Sequence, residues 1–228
     1  MKTVVEVIVL ELKNYSESSL WVCFFSKENG VQNGIIKGGK KKRTKPSILG
    51  FYNFTIYRQS ESGLQTVVDL ERTIPLDEIY CSPQKVLIAF FMSDSYKSIL
   101  VNCGTDSTFF DFIKTQVLKL KQVDKTGPFP VVFLAELISY LGYPPLNPSG
   151  SVESFDPLNG VFNPNSPSLQ TIHEKVVVEE IHFIFNEQER VLLNPKKVFD
   201  ALINYAIQHV PGYNRNKSIE VIKDVLYG

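Results

Sequence analysis

Apolar and polar residues alternate along most of the first 72 positions. Val5, Val7 and Val9 share one side of an extended segment, Glu6 and Glu11 punctuate it, and β-branched residues dominate up to Leu12, which predicts a strand ending near Asn14. Leu20–Phe25 is a second strand, and the Asn29-Gly30 pair after it is a hairpin signal because both residue types tolerate positive φ. The third runs from Val31 to Lys37. Gly38-Gly39 then opens a loop that Pro46 helps to close, and Leu49–Arg58 and Leu64–Arg72 follow as a fourth and fifth strand joined by a polar turn at Ser60–Gly63. Five strands in about 75 residues predict a small closed barrel; the oligonucleotide-binding (OB) barrel fits this count, and so does an SH3-like one.

At Pro75 the period changes from two to 3.6. Ser82-Pro83 starts a helix carrying Leu87, Phe90 and Phe91 at helical spacing, and Asp106-Ser107 starts another with Phe109, Phe112, Ile113, Val117 and Leu120 on one face, ending by Lys121. Pro130 opens a third, with Leu134, Leu137, Ile138 and Leu141 inward and Gly142 and Pro144-Pro145 as its stop. Asn194-Pro195 begins a fourth that Gly212 follows, and Ser218 caps a short last one with Ile219, Ile222, Val225 and Leu226. Six prolines fall between Pro144 and Pro167, which makes that stretch a loop, and Thr171–Phe185 is read as helix although its apolar triplets also suit a strand. The expected architecture is α+β: a five-stranded OB-fold barrel over residues 1–75, then an α-helical domain over 76–228 with the proline-rich loop at about 144–167.

The chain has 228 residues, 43% of them hydrophobic and 21% charged, the balance of a folded protein with a real core. Its longest apolar run is Val86–Met92, and a membrane-spanning helix needs about 20 residues, so no membrane crossing is expected. The start, with Glu6 and Glu11 inside its apolar stretch, does not read as a secretory signal, and a cytoplasmic location is the default. Cys23, Cys81 and Cys103 are far apart and odd in number, which fits reduced, mostly buried thiols better than a disulfide framework or a zinc site.

Charge becomes informative once it is located. The 24 cationic and 24 anionic side chains cancel overall, yet the stretch from Asn29 to Ser60 holds Lys37, Lys40, Lys41, Lys42, Arg43, Lys45 and Arg58 and no acid. A cationic run by itself reads as a solvated loop. Here Trp21, Phe24, Phe25, Tyr52, Phe54 and Tyr57 flank it, and aromatic faces beside a cationic groove are what a single-stranded nucleic acid needs. Lys40, Lys41, Lys42, Arg43 and Lys45 are therefore the expected phosphate contacts, with Lys37 and Arg58 beside them. Strand alternation sends about half of the aromatics into the barrel, and Trp21, Tyr52 and Tyr57 are the candidates for base stacking, the tyrosines because their polar tips suit a half-exposed site.

Catalytic chemistry is not written in the residues. Gly34 to Lys41 is one residue short of a phosphate-binding loop: Lys41 stands where a hydroxyl must hold magnesium, and Lys42–Pro46 ends in proline instead of opening a helix. His173, His182 and His209 form no metal-spaced pair, and the acidic pairs Asp77-Glu78 and Glu179-Glu180 are adjacent and so diverge on a helix. No cofactor, metal or enzymatic activity is expected.

Several segments, in order, resemble the bacterial recombination mediator family RecO. Tyr15–Leu20, Phe25–Gly30 and Ile36-Lys37-Gly38 look like its N-terminal barrel; Phe133–Leu137 with Leu141-Gly142-Tyr143-Pro144 looks like its central helix. Phe155–Phe162 looks like its Phe-Asp-x-x-x-Gly-x-Phe segment, and His209–Tyr213 with Lys217–Ile222 looks like its closing helix. Many members carry a four-cysteine zinc site after the central helix, whereas residues 142–175 here contain no cysteine, which implies a zinc-free member. The resemblance implies binding of single- and double-stranded DNA, annealing of complementary strands, and cooperation with RecR and the single-stranded-DNA-binding protein to load recombinase in repair. The acidic tail of the latter would need an apolar pocket flanked by a cation such as Lys119, Lys121 or Arg190, among which the sequence does not choose. The competing reading is a non-catalytic adaptor whose barrel docks acidic partner tails and never meets DNA.

Overall fold

The computed structural model describes residues 2–41, 45–57, 64–100, 106–186 and 191–228. Lys42, Arg43, Arg58, Cys103 and Arg190 lie outside the described residues. The strands are β1 (Lys2–Asn14), β2 (Leu20–Ser26), β3 (Gly30–Ile36), β4 (Phe51–Tyr57) and β5 (Gln65–Arg72). They close into a barrel in the order β1-β2-β3-β5-β4. One strand closes it: β1 pairs with β4 along Lys2–Ile8 and with β2 along Val7–Asn14, and a bulge between Val9 and Glu11 supplies the bend. The last seam is a parallel one, Gly34 to Ile36 against Gln65 to Val67, and this out-of-sequence pairing makes the barrel OB-like. Gly34 eases this close approach, since a Cβ there would stand 3.1 Å from the Gln65 carbonyl oxygen and the neighbouring strand would have to give way slightly.

Alternation explains the interior. Val5, Val7, Val9, Val22, Phe24, Ile36, Phe54, Ile56 and Val67 point inward and form one buried cluster, with Phe24 edge-on to Phe54 at 5.3 Å between ring centroids. Each such burial contributes about 1.5–3 kcal/mol. The expected hairpin turn is present, with Gly30 at φ +64°. The neighbour of Phe24 faces the other way: Phe25 is fully buried outside the barrel, 6.2 Å from Phe109 and 6.1 Å from Phe110.

Those two rings belong to α3 (Ser107–Gln122), which with α1 (Asp77–Tyr80) and α2 (Pro83–Leu100) follows the barrel. The chain divides into two compact units, Met1–Gln122 and Val123–Gly228, so the first three helices pack with the strands. The change expected at residue 75 marks where strands give way to helices and does not coincide with the break between units. Lys27 fastens α3 to the barrel through an ion pair with Asp111 at 2.8 Å and a position 5.1 Å from the Phe110 ring centre. Cys23 is buried and its thiol is pushed up to about 11, by burial first and by Glu11 second, whereas Cys81 is exposed.

In the second unit α4 (Phe129–Tyr140), α5 (Lys175–Asn186) and α6 (Pro195–His209) pack on one another, and α7 (Lys217–Leu226) ends the chain. α4 stops as expected at Gly142, φ +84°, where the Tyr143 amide donates back to Ile138 O at 3.0 Å. Asn216, not Ser218, caps α7: its Oδ1 accepts from the Ile219 amide at 3.3 Å and from the Ser218 hydroxyl at 2.5 Å. The proline-rich stretch carries a two-stranded sheet, β6 (Phe155–Asp156) with β7 (Val161–Phe162), organised around the buried Asp156 carboxylate. It accepts from the Ser168 amide (2.8 Å) and hydroxyl (2.7 Å), from Asn159 Nδ2 (2.8 Å) and from the Leu158 amide (3.0 Å). Among the described residues no helix is long and apolar enough to cross a membrane, and no group of three or more His, Cys, Asp or Glu is placed to hold a metal ion.

Candidate nucleic-acid interface

β3 ends at Ile36 and the chain turns at once. Gly38 takes φ +66°, a conformation that L side chains resist, and the Lys41 amide donates to Gly38 O at 2.9 Å. The turn is laced to the β1–β2 connection: the Lys40 amide donates to Ser18 O at 3.1 Å and the Lys40 ammonium to Ser16 O at 2.9 Å. At its far arm the same loop is held by the barrel. The Tyr52 hydroxyl accepts from the Ser47 amide at 3.0 Å, lies 3.0 Å from Ser47 Oγ, and donates to Lys45 O at 3.3 Å. Leu49, buried at φ +58°, is pinned by its amide to Val9 O at 2.7 Å, and Val9 N returns a bond to Gly50 O at 3.0 Å.

These ties fix the backbone; of the loop's described charges only the Lys40 ammonium is itself held, by a neutral carbonyl. Lys37, Lys41 and Lys45 are exposed and Lys40 is half-exposed, and among the described residues none of the four pairs with a carboxylate. Glu11, Asp77, Glu78, Asp94 and Asp111 of the first unit pair with other cations. Burial works to raise the Glu11 pKa, but Lys13 at 2.9 Å and Lys97 at 3.4 Å outweigh it and hold the carboxyl below its ordinary range.

Tyr52 corrects the expectation that it stacks on bases. Its ring is 0% exposed and lies in the barrel core 5.8 Å from Phe54, because even-numbered positions of β4 face inward; its polar tip positions the loop instead. Trp21 and Tyr57 are on the outer face, Trp21 partly exposed and Tyr57 41% exposed. Register joins them into a ladder across the barrel: Lys13 opposite Trp21, Trp21 opposite Ile35, Ile35 opposite Thr66, Thr66 opposite Tyr57. The Lys13 ammonium stands 5.0 Å from the Trp21 ring centre. The sequence reading passed over Lys13, Ile35 and Thr66. Alternation against the inward Ile36 and Val67 is the signal that puts Ile35 and Thr66 outside.

Of the three alternative cations for a tail pocket, Arg190 lies outside the described residues. Lys119 and Lys121 both lie on α3, Lys121 is 3.4 Å from Glu78, and its carbonyl accepts from the Lys85 ammonium at 2.8 Å. The apolar groove of this unit is lined by other residues, Phe90 and Ile48 among them.

The first unit is thus a closed five-stranded OB-like barrel joined to helices, with a loop whose described lysines meet no carboxylate among the described residues and with Trp21 and Tyr57 on its outer face. Residues 1–73 match the family described as Recombination protein O N terminal. Along nearly its whole length the chain is similar to DNA repair protein RecO of Flavobacterium psychrophilum, 25% identical over 236 residues and 99% of each chain. It is likewise similar to the protein of that name from Porphyromonas gingivalis, 26% identical over 247 residues, 97% of this chain and 98% of the relative. The barrel is thus similar to the RecO N-terminal family, and the likeness to RecO proteins continues through the helical part.

Proposed function

We propose that residues 1–75 form the nucleic-acid-binding module of a non-catalytic, cytoplasmic repair protein that binds single- and double-stranded DNA, anneals complementary strands and assists recombinase loading with RecR and the single-stranded-DNA-binding protein. The observation that carries this reading is the set of Lys37, Lys41 and Lys45, exposed on one loop with the half-exposed Lys40 and unmatched by carboxylates among the described residues, beside Trp21. Annealing asks only that two polyanions be held close with their repulsion screened and their base edges free, and phosphate contacts position strands without reading them. The RecO relatives, named as DNA repair proteins, support it further.

Fluorescence anisotropy of a labelled oligonucleotide over a salt series is the test. With six loop cations engaged on a single strand, log affinity falls against log salt with a slope of about −4. No measurable DNA affinity at low salt, together with capture of an acidic peptide, would favour the adaptor reading.

A further inference from the structure

α1 and α2 meet the far arm of the cationic loop at a groove of about 310 Å³. Its walls are Leu12 of β1, Ser47 and Ile48 of the loop arm, Tyr80 of α1, and Val86 and Phe90 of α2. Both hydroxyls are already spent, Ser47 Oγ on Tyr52 and Tyr80 on the Ile48 carbonyl at 2.8 Å. Burial pushes the Tyr80 phenol up to about 12, so it remains that donor at neutral pH. What the groove presents is carbon, and at its mouth Phe90 is 47% exposed. The wall is pre-set, because the Ser47–Gly50 arm is held by Tyr52 and Val9 with Leu49 in a left-handed conformation. Of the charged residues close to these walls in sequence, Glu11 is engaged by Lys13 and Lys97 and Asp77 by Arg72 at 3.5 Å, while Lys45, two residues before Ser47, has no carboxylate partner among the described residues.

We infer that this groove seats one unstacked base of a strand whose backbone runs along the cationic loop, the base lying against the Phe90 ring. The inference rests on the nucleic-acid reading above. Lys45 is three residues from Ile48, at most about 10 Å of extended chain, so a phosphate on its ammonium leaves the neighbouring nucleotide within reach of the groove. Walls without a free donor or acceptor cannot choose between base edges, and every base has a face that stacks on an aromatic ring. An apolar peptide side chain also suits carbon walls. The continuity with an acid-free cationic loop favours an occupant whose negative charge repeats, which a polynucleotide carries and a single side chain does not.

The experiment uses the full chain, a labelled oligo-dT containing 5-iodouracil, and inorganic polyphosphate as a base-free polyanion. Photocrosslinks are expected in the tryptic peptide Val86–Lys97. Phe90→Ala is expected to weaken oligonucleotide binding about tenfold, leave the salt slope and polyphosphate binding unchanged, and be rescued by Phe90→Trp. Wild-type affinity in Phe90→Ala, or crosslinks confined to the Trp21 and Tyr57 peptides, would overturn the assignment. So would loss of a fluorescent acidic, Phe-containing peptide from Phe90→Ala with oligonucleotide binding intact, which would give the groove to a protein partner. Lys40→Ala/Lys41→Ala/Lys45→Ala separates the two levels: unchanged affinity for both polyanions sinks the parent reading, whereas loss of both beside a silent Phe90→Ala sinks only the groove.

Discussion

The Tyr52 hydroxyl donates to the Lys45 carbonyl at 3.3 Å, so a ring buried in the barrel core sets the backbone of an exposed cation. Tyr52→Phe keeps the ring and removes the link, leaving the Ser47 amide without that acceptor. The expected cost is about 1 kcal/mol of stability by urea denaturation. Nucleic-acid affinity is expected to fall several-fold with an unchanged salt slope, since the cations are all still present. A slope that flattens in this variant would mean that Tyr52 does more than hold the loop.

Charge and stacking separate in a second pair of variants. Removing Lys40, Lys41 and Lys45 together makes the log–log salt slope shallower by about 2, at about 0.7 per phosphate, with the same loss for every base composition. Trp21→Ala leaves the slope alone and costs about 1–3 kcal/mol of affinity for single strands. Anisotropy titrations at several salt concentrations read both numbers.

Much of this arrangement is legible in the residues themselves. Period-two stretches located the strands, and Asn29-Gly30 located a turn that does take positive φ at Gly30. What alternation cannot give is which side is the inside. Tyr52 and Tyr57 are five apart on one strand and therefore face opposite ways, yet nothing local says that Tyr52 is the buried one; the pairing of β4 with both β1 and β5 decides it. Leu49, expected within the fourth strand, instead takes φ +58°, a conformation stabilised by tertiary bonds to Val9. Phe90 fell on an expected inward stripe because Val86–Met92 is apolar all round, and a run without a polar face gives no direction. The unit boundary was hidden for a similar reason, since composition shifts where strands end but Phe25 packs on Phe109 and Phe110 from beyond that point.

In the helical unit a buried carboxylate holds the start of α6, a role the residue pattern does not mark. Asn194 stands at the N-cap of α6 without a side-chain cap bond, and the buried Glu180 of α5 does the capping: it accepts from the Leu193 amide at 2.5 Å and the Asn194 amide at 3.2 Å. A carboxylate there also meets the positive end of the helix dipole. Glu180→Gln is expected to cost about 1 kcal/mol, and Glu180→Ala, which strands the two amides, about 2–3 kcal/mol. Urea denaturation followed by far-UV circular dichroism reads both, while the salt slope for oligonucleotide stays as in the parent protein. Equal stability of all three proteins would show that water satisfies these amides as well as Glu180 does.

Asp156 predicts the acid limit of the same unit. Burial pushes its pKa up, but the hydrogen bonds from Ser168 and Asn159 outweigh that and hold the carboxyl far below the ordinary aspartate range. A carboxyl depressed in the folded state stabilises the fold fully above its unfolded pKa of about 3.9, and that stability drains away as pH falls from there toward the folded value. Thermal unfolding between pH 7 and pH 2.5 is therefore expected to show a midpoint that drops below about pH 4. Asp156→Asn replaces one of the two acceptor oxygens by a donor, so that either the Ser168 amide or its hydroxyl loses its acceptor; this costs about 2–3 kcal/mol at pH 7, and its midpoint is expected to change less on acidification than that of the parent. Because other carboxylates titrate over the same range, the decisive quantity is the difference between the two curves. If that difference stays constant from pH 7 to pH 2.5, the Asp156 charge is not what holds the loop from Phe155 to Thr171 together.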